Sequence, residues 1–139
     1  MDRTGTPAPV GQRALTGLDE LSELRRQAAD DLSSNGVHLD TVEDAVLCLS
    51  EACANALVHG RGEVWACWAS SPGVVVLEVR DEGPGPRGDL DVSDPAGDQD
   101  SGRGLFILSR LAATVRSHRT EQVHCLRIVL PTDAVKRDE

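Results

Sequence analysis

Glu51 and Asn55 stand four residues apart in the run SEACANALVHG, whose other positions are mostly small or apolar. In a helix that spacing places both side chains on one face. An Asn side-chain oxygen can take a place in a magnesium shell. A nearby carboxylate can accept a proton from a nucleophile. On an arbitrary helix such a pair is usually just solvated, but the small apolar neighbours weaken that reading here.

Two further segments carry chemistry. In VRDEGPGP a strand-like run ends in Asp81, Gly83 and Gly85. Alone this is an ordinary turn; functionally, a carboxylate at a strand end can hold an exocyclic amine, and glycines let a flat ring approach the backbone. In SGRGLFILSRL, Gly102 and Gly104 immediately precede a helical pattern. Exposed N–H groups at a helix's positive end suit phosphate.

The elements that position these residues are legible as patterns. Residues 1–16 are rich in Pro, Gly and Thr and read as a flexible lead-in, with a short strand around Gln12–Thr16. Leu18, Leu21, Leu24, Ala28, Ala29 and Leu32 predict a first helix over 18–33, ended by Asn35-Gly36. Thr41 followed by Asp44 resembles a capping box and opens a second helix that runs to about Val58, with Gly60 as its stop. EVWACWAS and GVVVLEVRD, separated by SPG, predict an antiparallel hairpin. Residues 82–102 lack apolar periodicity, and a loop of that length in a small domain is functional or disordered. A third helix, GLFILSRLAATV, and two strands, TVRSHR and VHCLRIVLP, follow. Partly segregated helices and strands indicate an α+β fold: a mixed, mostly antiparallel sheet with helices on one face. One domain spans 17–131, and 132–139 read as a solvated tail.

Composition excludes several function classes. The 139 residues fit one compact domain, and 40% hydrophobic content supplies a core that must be largely aliphatic, with one Phe, two Trp and no Tyr. A net charge of -9 argues against a nucleic-acid backbone as partner. The scarcity of aromatics argues against base stacking. Cys48, Cys53, Cys67 and Cys125 form no CxxC pair and read as buried thiols. No stretch reaches the ~20 apolar residues of a membrane span, and MDRTGTPAPV lacks a signal-peptide core, so a cytoplasmic protein is the expectation. There is no GxxxxGK[ST], and Gly102-x-Gly104 lacks the third glycine of a dinucleotide fold. The Asp-rich stretch 89–100 is not an EF-hand, since Asp94 and Asp100 occupy its Gly and Glu positions. His59, His118 and His124 have no metal spacing.

Taken in order, the three segments resemble the N, G1 and G2 boxes of the GHKL ATPases, the superfamily of type II topoisomerases and histidine-kinase catalytic domains. The form Glu51-x-x-x-Asn55 with His59-Gly60 shortly after looks like the anti-sigma factor serine/threonine kinases. The resemblance covers residues 18–131. It implies a Bergerat-type α/β sandwich that holds ATP beneath a lid over 86–101. By position it makes Glu51 the general base and Asn55 the magnesium ligand. Asp81 would bind the adenine amine in a pocket shaped by Gly83 and Gly85. Gly102, Gly104 and the Leu105 backbone would contact phosphate, with Arg103 a further candidate. Arg25 matches a first-helix Arg used for nucleotide or partner contacts; its plain reading is a solvated helix Arg. The sequence departs from the family in the final strand, where EQVHCLRIVLP has no Gly-Thr pair to help hold adenine.

The resemblance therefore implies an ATP- and Mg²⁺-dependent protein serine kinase. It would phosphorylate an anti-anti-sigma protein and also bind a sigma factor, without contacting nucleic acid or membrane. The N-terminal edge often serves dimers in this family, so a homodimer is compatible. The alternative is a catalytically weak nucleotide-binding module that acts by protein binding, and a third reading is a detached histidine-kinase catalytic domain.

Overall fold

The computed structural model describes residues 7–83, 114–120 and 122–132. Gly85, Gly102, Arg103, Gly104, Leu105, the expected lid and the expected third helix lie outside them. The described elements, in order, are β1 (Pro9–Leu15), a 3-10 turn (Leu18–Glu20), α1 (Leu21–Ser34), α2 (Leu39–His59), β2 (Val64–Ser71), β3 (Val74–Asp81), β4 (Thr114–Arg119) and β5 (His124–Pro131). The strands form one sheet in the order β1-β2-β3-β5-β4. Every described pairing is antiparallel, in keeping with the α+β fold and mostly antiparallel sheet expected.

Alternation in the strands decides which face is covered. Val75, Leu77 and Val79 of β3 are buried with Val64, Ala66 and Trp68 of β2 and with Leu126, Ile128 and Leu130 of β5. Glu78, Arg80, Cys67, Cys125 and Arg127 occupy the alternate positions. On the buried side lie Leu24, Ala28 and Leu32 of α1, spaced at one helical turn, and Val42, Ala45, Leu49, Ala52 and Cys53 of α2. Among the described residues the core is aliphatic, as the composition requires, with Trp68 the one large aromatic side chain in it.

Three boundaries differ from the sequence expectation. Residues 9–15 are a strand rather than part of a flexible lead-in, because β1 pairs with β2 from Leu15↔Val64 to Pro9↔Ala69. That edge is fixed from beneath: the Trp68 indole N–H donates to Asp31 Oδ2 (2.9 Å), in the space left by Gly11, its partner across the strands. The first helix begins with a 3-10 turn, held where the Thr16 N–H and hydroxyl donate to Glu20. α2 starts at Leu39 rather than at a Thr41 cap. His38 Nδ1 accepts the Asp40 N–H (3.2 Å) as the N-cap, and Thr41 is buried within the first turn. The β2–β3 connection is the two-residue turn Pro72-Gly73, where Gly73 takes φ 91°, as a Pro-Gly turn requires.

Candidate functional site

α2 is the long element that carries the first pair. Glu51 and Asn55 lie on its margin, both half-buried, and among the described residues neither makes a hydrogen bond. Their neighbours Ala52 and Cys53 pack into the core. One position before Glu51, Ser50 Oγ is buried and accepts from the Arg25 guanidinium of α1 (2.9 Å). Arg25 is thus tied to the helix that carries Glu51.

The helix ends at the second site. Gly60 follows the last residue of α2, and its N–H donates to the Ala56 carbonyl (2.8 Å). A Cβ at Gly60 would lie 2.7 Å from the carboxylate of Asp81, so the absence of a side chain is what lets the helix end reach β3. The Glu82 N–H donates to the Arg61 carbonyl (2.9 Å), which ties the chain after α2 to the chain after β3. Gly83 is packed equally closely, since a Cβ there would meet Gly60 Cα at 2.9 Å.

Asp81 is buried (6% exposed), and Oδ1 accepts the Gly83 N–H (2.6 Å). Register places Asp81 directly opposite His124, equally buried, with Nδ1 3.8 Å from Oδ2. That is beyond hydrogen-bond range and within Coulombic reach. His124 Nε2 is 2.8 Å from Ser117 Oγ of β4, and Arg119 donates to the Gly83 carbonyl (2.5 Å). Burial pushes the His124 imidazole below its ordinary value of 6.5; Asp81 opposes the fall and Arg119 reinforces it. The ring is therefore neutral at pH 7. With Nδ1 facing a carboxylate, its proton belongs on Nδ1, and Nε2 accepts the Ser117 hydroxyl.

The structure thus joins Asp81 and Gly83 into one buried cradle at the end of α2. It places Glu51 and Asn55 further back along the same helix. Helix rise sets Asn55 about 8 Å and Glu51 about 14 Å along the axis from Gly60. His124, Ser117 and Arg119 were missed in the sequence, where His124 was tested only for metal spacing. Aligning β3 against β5 as neighbours would have set it opposite Asp81.

A family model of the histidine kinase-like ATPase domain matches residues 16–130. The chain belongs to this family. The histidine kinase-like ATPase fold is also seen in two similar solved structures. The histidine kinase domain of the Erythrobacter litoralis EL346 blue-light activated histidine kinase has a TM-score of 0.51 and 18% identity; the match covers 86% of this chain and 63% of that one. The Acinetobacter baumannii histidine kinase AdeS has a TM-score of 0.51 and 16% identity, covering 91% and 70%. At such identities the likeness is one of fold. This ATPase-type chain spans under two thirds of the first relative's length. No curated protein sequence matches it.

Membership makes ATP the expected ligand, and the residues fit magnesium in the mode that nucleotides use. Among the described residues no group of three His, Cys, Asp or Glu side chains could cage a metal. Among the described residues the Asn55 side chain makes no hydrogen bond, and its amide oxygen would suit an ion held largely by phosphate and water. No described helix is long and apolar enough to cross a membrane.

Proposed function

We propose that the chain is an ATP-binding anti-sigma factor and protein serine kinase that phosphorylates an anti-anti-sigma protein in a partner-switching system. One observation carries the reading. The helix that bears Glu51 and Asn55 ends, through Gly60, against the buried carboxylate of Asp81. A nucleotide whose amine meets Asp81 can extend its phosphates back along α2 toward Asn55 and then Glu51.

In this reading Asp81 accepts a hydrogen bond from the exocyclic amine, in a pocket assigned from sequence to Gly83 and Gly85, while Gly60 lets the end of α2 pack against that carboxylate. Asn55 would hold Mg²⁺, which neutralises phosphate charge when bound. Glu51 takes the proton from a serine hydroxyl as its oxygen bonds to the γ-phosphorus. The bond to the bridging oxygen breaks, and ADP leaves with the electron pair. Positioning and charge neutralisation supply most of the rate. Gly102, Arg103, Gly104 and the Leu105 backbone are assigned to phosphate from sequence. Arg25, beside Ser50, is assigned to the protein partner.

The test is phosphotransfer from labelled ATP to purified candidate antagonist proteins. Glu51→Ala is expected to keep ATP binding and to lose about a hundredfold or more in transfer. The product should be acid-stable phosphoserine. An unchanged transfer rate would remove Glu51 from the base role. An acid-labile label on histidine would assign histidine-kinase chemistry instead. Tight ATP binding with no transfer to any antagonist would favour the regulatory-module reading.

A further inference from the structure

Asp81 and His124 are two of the four buried polar or charged residues among those described, and they face each other across β3 and β5. A buried carboxylate needs partners for its oxygens. The Gly83 N–H meets Oδ1, while among the described residues the His124 ring stands 3.8 Å from Oδ2. That ring is anchored on its far side by Ser117, and Arg119 of the same strand holds the Gly83 carbonyl. β4 thereby reaches past β5 to brace both partners of the Asp81 carboxylate.

We infer that His124, anchored by Ser117, is a positioning residue for nucleotide recognition: it holds the Asp81 carboxylate with Oδ2 presented to the ligand's exocyclic amine. This rests on the reading of Asp81 as the base-binding residue. A carboxylate turns easily about its last torsion, so one donor at Oδ1 does not fix where Oδ2 points. A donor dipole within Coulombic reach of Oδ2 biases that torsion before the ligand arrives, and order already present is not lost on binding. The ring stands at the start of β5, where the sequence has no Gly-Thr pair. At 3.8 Å the contact is Coulombic, and it can tighten to a hydrogen bond in the complex, as long contacts in a ligand-free site commonly do.

Calorimetric titration with ATP·Mg²⁺ tests this on wild type, His124→Leu, His124→Asn, His124→Gln and Asp81→Asn, with thermal melts to confirm folding. Leu fills volume without a donor. Asn puts an amide N–H near the Nδ1 position, whereas Gln carries its amide out toward Nε2. The expected result is a loss of roughly tenfold to a hundredfold for Leu and Gln, and recovery to within a few-fold for Asn, the worth of one hydrogen bond to a charged group. Wild-type affinity in His124→Leu, alongside lost binding in Asp81→Asn, would overturn the role of His124 and leave the base site standing. Asn as weak as Leu would reduce His124 to packing. Wild-type affinity in Asp81→Asn would remove the base-site reading and this inference together. If the Leu variant does not fold, Asn against Gln decides: equal affinities overturn the inference.

Discussion

Gly60 closes the last turn of α2 directly against the carboxylate of Asp81, close enough that even one methyl group would overlap it. The two residues lie in different elements, and a side chain at Gly60 would have to displace the carboxylate. Gly60→Ala would also crowd the Ala56 carbonyl at 2.6 Å. Its φ of -87° is open to any residue, so the effect is steric. Overpacking of this kind costs about 1–3 kcal/mol. ATP affinity should fall with it as Asp81 is displaced. Denaturant melts and nucleotide titration of the variant check both expectations.

His124 makes stability depend on pH. Its folded-state value lies below the unfolded 6.5, chiefly because burial disfavours the charged ring. The unfolded chain therefore takes up the proton first. The contribution is fully present above pH 6.5 and is lost as pH falls through the folded value. Denaturant midpoints measured from pH 7.5 down to 5 should drop more for wild type than for His124→Asn. Equal slopes would mean the ring titrates as if exposed.

The two core thiols, Cys48 and Cys53, should be inert in the native state. Burial pushes Cys48 and Cys53 up to about 12, and Cys48 is raised further by Asp44 and Glu51. Both are fully buried. Cys67 and Cys125 are half-buried and also raised. Since the thiolate is the reactive form, a thiol reagent at pH 8 should modify Cys48 and Cys53 only on unfolding, with Cys67 and Cys125 reacting first. Mass spectrometry of partly labelled protein gives the order.

Gly11→Ala should loosen the β1 edge. A Cβ there would meet Asp31 Oδ2 at 2.1 Å and Trp68 Nε1 at 2.3 Å. Asp31 can swing away, but Trp68 is fully buried and would lose its acceptor. An unsatisfied buried donor costs about 1–3 kcal/mol. Hydrogen exchange at β1 amides, with a denaturant melt, would report the loss.

Much of the architecture was legible because periodicity announces it. The hairpin of β2 and β3, the course of α2 and the existence of strands β4 and β5 follow from alternation and helical spacing. The start of α2 was misplaced, since His38 caps with an imidazole nitrogen, outside the usual Ser, Thr, Asp and Asn. β1 was underestimated because its stability comes from Val64 to Ala69 of another strand and from the Trp68–Asp31 contact, neither of which is local. Glu51, Asn55, Asp81 and Gly83 could be picked out by residue type and spacing. His124 could not, because its meaning comes from strand order: β5, rather than β4, lies beside β3.

That strand order has an evolutionary consequence. The two polar residues of the cradle sit on neighbouring strands, whereas residues 82–113 separate β3 from β4 in the chain. The entropic cost of closing a loop grows only slowly, about 0.6 kcal/mol for each doubling of its length. Insertions or deletions between β3 and β4 would therefore weigh little on the pairing of Asp81 with His124. Selection could change the length of the chain between Gly83 and Gly102 for new regulatory demands while the pairing of Asp81 with His124, carried by the sheet, is kept.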